Sequence, residues 1–494
     1  LPFTPQIVFD VGQLAEPLTG MAVAMLEEQG KLSASDLVKK YLPELPSGAD
    51  TLTVGHLLYH TSGLADWAAL LPLAGWNEGD VITRDQILRL VCRQSKLLFD
   101  PGTKFLDSRT DYVLLAEIIS RATSQSFREW TWANIFKPLG MTRTQFRDNS
   151  REIVENRAYS INYHPRDGYL KGADSLAVVG ACSLFTTLED FTKWLVNFEN
   201  PRVGSAQVAQ KMMTSGKLAS GREAGHSYGF SVEIYQGLKR LRKSGAWGGF
   251  RATLEYYPDA SFGVLVVSNW DYGWYQPESH ANSVAAACLE PLMKKAEKTT
   301  ATLPSAKPLR LSPEALAQYV GEYRLAPGNY ASVSQEKTVL VLTIGRQEYR
   351  LVPTGEAVFR FEDPNIPVVV TFFKSADGKV THFGYPAFPR DINAARVVRE
   401  SLSAEQLKRY EGTYSNEELE VRYGIVARDN RLALSSLRKS EVILTPENRQ
   451  VFVGNSPGFE LITFLVNEGA DVTGFRVEAA NLPPLTFLKE KALP

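Results

Sequence analysis

The stretch RKSGAWGGFRATLEYYPDASFGVLVVSN, residues 242–269, decides how the first half of this chain is read. It holds the end of one β-pattern and two complete ones, at 250–257 and 262–268, separated by short turns. Two runs just upstream, 228–235 and 238–243, extend the series to a four-strand meander. Around it the period changes. Leu18, Met21, Ala22, Met25 and Leu26 recur at the spacing of one helix face. Helical patterns occupy 18–30, 84–97, 110–123, 126–137, 188–198 and 279–296. A meander set among helices predicts an α+β domain over residues 1–298, an antiparallel sheet flanked by helices.

Beyond it, TTATLPSAKPLR (299–310) combines Pro, Ser and Thr without hydrophobic periodicity and reads as a linker. An internal repeat follows. LSPEALAQYVGEY (311–323) matches LSAEQLKRYEGTY (402–414), and both copies continue into short alternating strands. Two small antiparallel β-barrels, 311–400 and 401–494, fit this pattern.

A chain of 494 residues is too long for one core. Its formal charge of −1 gives no electrostatic case for nucleic acid as a partner, and no apolar run is long enough to span a membrane. Cys92, Cys182 and Cys288 are far apart and show neither a disulfide framework nor metal-ligand spacing. No cofactor is expected.

Five ordered stretches of the first block resemble one family. They are GHLLYHTSGL (55–64), PGTKFLDSRTDYVLLAEII (101–119), IFKPLGMTRTQF (135–146), GACSLFTTLEDFTKWLVNF (180–198) and the opening stretch at 242–269. Together they are similar to the serine β-lactamase and penicillin-binding-protein-like family, which includes class C β-lactamases, D,D-peptidases, esterases and aminopeptidases. The trailing repeats resemble the paired barrels of its D-aminopeptidase-type members. The resemblance implies a periplasmic or secreted setting and a small peptide or amino-acid-like ligand.

In that family a serine at the start of a buried helix and a lysine one turn later form the pattern S-x-x-K, so the amine takes the serine's proton. A Y-x-N motif assists, and K-T-G or H-x-G lines the opposite wall. Here FDVGQLAEPLTGMAVAML aligns on the first motif, which puts Gln13 at the serine position and Glu16 at the lysine position. In FLDSRTDY, Asp107 and Arg109 stand for the tyrosine and asparagine, with Ser108 between them. The third motif keeps its character as Lys243-Ser244-Gly245. Ser108, Lys243, Ser244, Gly245 and Trp247 are the ligand-contacting candidates that the resemblance implies.

An amide is no nucleophile, and an acid cannot replace a neutral amine as the base. Pro17 also disfavours the α conformation at Glu16, so the helix is expected to begin at Pro17. Glu16, Asp107, Arg109 and Lys243 are expected to form one charge-cancelling network in the former active site. A metal is not expected, since motif placement brings no histidine near, and His60 and Ser62 read as framework. Literal S-x-x-K strings at Ser334–Lys337 and Ser436–Lys439, and the Y-x-N string Tyr414-Ser415-Asn416, fall in the barrel repeats and are read as chance. Two functional readings result: a non-catalytic relative whose cleft binds a ligand or serves as scaffold, or an amide or ester hydrolase using rearranged residues. Family members carry further strands before the first motif. Their apparent absence here predicts an open sheet edge, a strand-completing partner, self-association or an incomplete chain.

Overall fold

The computed structural model describes residues 3–491 apart from 78, 165–167, 173–174, 271–275, 295–308, 346, 364–367, 387–391, 440 and 480. Most of the expected linker therefore lies outside the described residues. The chain forms two compact units, with residues 1–295 and 296–480 as their main parts.

In the first unit the meander runs β1 (Ser231–Tyr235), β2 (Leu238–Trp247), β3 (Phe250–Tyr257) and β4 (Phe262–Ser268), in spatial order β4-β3-β2-β1. All neighbours are antiparallel, with Leu254 of β3 opposite Lys243 of β2 and Leu265 of β4. Helix α1 (Glu16–Glu28) is buried from Glu16 through Leu26, more than one face, which makes it a central helix and not a surface one. Helix α2 (Arg109–Thr123) is buried almost continuously from Thr110 to Ile119. Helix α3 (Pro277–Leu289) lays Ala281, Ala285 and Leu289 over Tyr257 and Val264. Its three small or slender side chains permit a close approach to the sheet.

Three expectations are corrected here. The helix expected at 84–97 ends at Cys92, and the one at 126–137 divides into an α-turn, Phe127–Thr131, and a π-turn, Trp132–Phe136. Glu16, expected outside α1, is helical at φ −63° and ψ −43°. A 3-10 turn at Gly12–Ala15 leads into it, and the buried contacts of its side chain override the pre-proline preference. Phe9–Asp10 forms a short strand that joins Leu184–Thr186 and Gln145–Phe146, not the meander. Among the described residues the meander has four strands, with β4 at one edge.

The second unit contains two closed eight-stranded antiparallel barrels, Gly321–Val397 and Gly412–Lys489. Closure leaves neither sheet an open edge. The repeated Tyr-x-Gly-x-Tyr pattern has one structural use. Tyr323 donates to the Tyr319 carbonyl at 2.7 Å, and Tyr414 to the Tyr410 carbonyl at 2.6 Å. Tyr319 in turn donates to Glu356 O at 2.7 Å, and Tyr410 to Arg449 O. The two rings thus latch the short helix that precedes each barrel onto its wall. Tyr323→Phe and Tyr414→Phe each leave a buried carbonyl unmet, and each is expected to cost about 1–2 kcal/mol, read by urea unfolding. Among the described residues no helix is long and apolar enough to cross a membrane.

Candidate functional site

The site is assembled where the start of α1, the start of α2 and β2 meet. The approach of α1 to β2 is backbone on backbone. A Cβ on Gly245 would stand 2.2 Å from Val11 O and 2.8 Å from Gln13 N. Gly12, at φ +54°, faces Ala246 N in the same way, at 2.9 Å. Only glycine fits at either position. This contact puts Gln13 on the end of β2, where its Oε1 accepts from the Ala246 N–H at 2.7 Å. Its Nε2 lies 3.8 Å from Cys182 Sγ.

Glu16 points inward and has no exposed surface. One carboxylate oxygen, Oε2, is ion-paired to Lys243 Nζ and lies 3.3 Å from His60 Nε2. The other, Oε1, has no hydrogen-bond partner. Lys243 also reaches Asp107 at 3.3 Å, and Asp107 is 55% exposed at the mouth of the cleft. Burial opposes charge on Lys243, but Asp107 and Glu16 hold its pKa above the ordinary value. Burial pushes the Asp107 carboxyl up, and the Lys243 and His60 cations more than reverse this, holding it well below the usual carboxylate range.

The expectation that no histidine lies at the site is overturned. His60, at φ +53°, turns its ring inward from the 55–64 segment. Its Nδ1 is 2.9 Å from Asp111 Oδ2, and its Nε2 faces Glu16 and, at 3.8 Å, Asp107. Burial lowers its pKa, but Asp107, Asp111 and Glu16 raise it further, to about 10. Asp111 is itself fully buried, and burial lifts it to about 6 against the hydrogen bonds from His60 and Ser62. Ser62 donates to Asp111 Oδ1 at 2.6 Å. His226 stacks at a tilt against His60, with ring centroids 4.6 Å apart, and neither of its nitrogens has a hydrogen-bond partner. Burial, then the His60 and Lys243 cations, depress its pKa well below the ordinary value.

Arg109 departs from the expected network. Its guanidinium pairs with Asp66 at 2.6 Å on the opposite wall, because Arg109 opens α2 while Asp66 caps the helix beginning at Trp67. The cluster is therefore Glu16, Lys243, Asp107 and His60, with Arg109–Asp66 as a separate pair. Between them lies a cleft of about 300 Å³ bordered by Gln13, Asp66, Asp107, Arg109, Lys243 and Ser244, with Gly245 on its floor. Ser244 bonds Thr253 at 3.1 Å, and Ser108 is buried with its hydroxyl unpartnered. Trp247 packs on Trp67, centroids 5.6 Å apart. The chance strings have local places in the barrels: Ser334–Lys337 ends a barrel strand and its turn, Ser436–Lys439 follows another strand, and Tyr414 is buried inside its barrel.

Known proteins can be set beside this geometry. A family model described as Beta-lactamase matches residues 1–287. Penicillin-binding protein 4* of Bacillus subtilis is 24% identical over 390 residues, covering 76% of this chain and 85% of that protein. A D-aminopeptidase of Cereibacter sphaeroides is 25% identical over 271 residues, covering 54% of this chain, which spans only about half (51%) of that enzyme. Among solved structures, the octameric penicillin-binding protein homologue from Pyrococcus abyssi superposes with a TM-score of 0.54 at 23% identity, over 80% of this chain and 90% of that one. The penicillin-binding protein from Bacillus halodurans gives 0.51 at 20% identity, over 57% and 87%. These structural likenesses concern the fold.

Proposed function

The chain belongs to the beta-lactamase family of serine hydrolases, and from that premise we propose that it is a catalytically silent member whose remodelled cleft binds a small peptide or amino-acid-like ligand. One observation carries the reading. The Gln13 side-chain oxygen already occupies the Ala246 N–H, a backbone donor of the kind that stabilises an oxyanion. The side chain at the nucleophile's position thus fills a polarising group instead of attacking a substrate. Glu16 reinforces this, since it neutralises Lys243 where the family's mechanism requires a second amine. The relatives named penicillin-binding protein and D-aminopeptidase support a ligand of amino-acid or peptide type. The cleft offers such a ligand the Arg109 guanidinium and the half-exposed Asp107, opposite charges for a zwitterion.

The test is turnover of nitrocefin, p-nitrophenyl esters and D- and L-aminoacyl p-nitroanilides, with Lys243→Ala prepared alongside. Rates at the buffer level are expected for both, together with a rise in melting temperature on adding a bound dipeptide or amino-acid amide. Turnover that Lys243→Ala abolishes would overturn the proposal in favour of a hydrolase using rearranged residues. Gln13→Ser supplies a hydroxyl and uncovers the Ala246 N–H, yet provides no amine at position 16. It is expected to remain at the buffer rate in the same assays.

A further inference from the structure

We propose that Glu16, His60 and His226 form a binding site for a divalent transition-metal ion of the zinc class. Each offers one ligand atom, the three atoms lie within 4.8 Å of one another, and all three residues are fully buried. Two nitrogens and a carboxylate oxygen are a donor set that zinc accepts, with a fourth position left over.

Two kinds of unmet polar atom point to a ligand here. His226 keeps both ring nitrogens without a hydrogen-bond partner, and Glu16 Oε1 is likewise unpaired. Buried polar groups in native proteins are satisfied as a rule, so an imidazole left wholly unmet beside an unmet carboxylate oxygen marks the place of something bound. No hydrogen bond restrains the His226 ring, which leaves it free to turn and close the set.

The surroundings fit an ion as well. Asp111 holds His60 Nδ1 at 2.9 Å and is itself fixed by Ser62 at 2.6 Å. That is the carboxylate–histidine support which orients metal-ligating imidazoles and directs the other nitrogen at the ion. The ion displaces the proton that His60 otherwise carries, and Glu16, Asp107 and Asp111 then bring three negative charges against the single ammonium of Lys243. The remainder of two matches a divalent cation. Lys243 stays on Glu16 Oε2, which leaves the unmet Oε1 to the ion, and the fourth position is open to a water or other exogenous ligand. The site is independent of whether the protein turns anything over.

The full chain, stripped with a chelator, would be titrated with Zn²⁺ by calorimetry and with Co²⁺ by visible absorption. One ion per chain is expected, with the intense bands of four-coordinate cobalt. His226→Gln, which removes no hydrogen bond from the metal-free protein, is expected to melt as the wild type does and to lose this ion. Asp111→Asn should weaken binding about 10–100-fold, and His382→Gln, on a barrel strand, should leave it unchanged. A wild type that takes up no ion, six-coordinate cobalt bands, or equal binding by His226→Gln would overturn the proposal. The cobalt spectrum of the wild type decides this even if a variant fails to fold.

Discussion

Glu16→Ala is expected to cost the first unit about 3–5 kcal/mol, the loss that follows when one partner of a buried ion pair is removed. The carboxylate has no exposed surface, and the ammonium it neutralises is only 5% exposed. Deleting it leaves Lys243 with Asp107 alone, and Asp107 is half in water and correspondingly less effective. Lys243→Ala should cost a similar amount for the opposite reason. The double variant should lose clearly less than the sum, because neither charge is then stranded. The measurement is clean in this chain. All eight tryptophans fall between Trp67 and Trp274, so fluorescence in urea follows the first unit without the barrels. Additive losses would mean that the two side chains stabilise the fold separately.

Gly229→Ala should be nearly as damaging, at about 4 kcal/mol. Gly229 sits at φ +95°, and a Cβ there would meet Pro17 N at 2.4 Å and Glu16 C at 2.6 Å. Strain and overpacking each contribute about 1–3 kcal/mol. Neither clash has a flexible end that could give way, since both partners are the backbone of α1. Gly20 presses on Tyr228 O from the helix side, where a Cβ would come within 2.3 Å. Gly221→Ala is the control. It shares a positive φ of 82° but has open space around it, and should cost only the strain, about 1 kcal/mol. The same tryptophan signal in urea separates the two variants, and equal losses would show that the contact with α1 carries no weight.

Much of this was legible in the sequence, for reasons that can be named. The meander announced itself through runs rich in aromatic and β-branched residues separated by short turns, and the two barrels because LSPEALAQYVGEY and LSAEQLKRYEGTY repeat a latch that both folds need. Gln13, Glu16, Asp107 and Lys243 were placed by the short motifs around them, and the structure brings the last three together in one cluster. What escaped is contact across long stretches of chain. His60, Asp111 and His226 converge from segments with no shared local pattern, and the family resemblance marks the His60 segment as framework. The chain has only six histidines, and that scarcity was the signal available for asking where each one goes. Arg109 pairs with Asp66 and not with the expected network of Glu16, Asp107 and Lys243, because the capping role of Asp66 depends on a helix that the periodicity does not reveal. The two-residue strand at Phe9–Asp10 is too short for any alternation to show.

The tight seating of Gly245 on Val11 and Gln13 has a further consequence for how the cleft responds to an occupant. Floor and near wall meet backbone on backbone, with no side chain between the entrance to α1 and the strand that carries Lys243. For the proposed ligand, such close packing would keep the cost of reorganisation on that side small. Accommodation falls to the far wall, where Arg109 and Asp66 hold each other. For the ligand proposed above, selectivity would therefore depend on how readily that one clasp lets go.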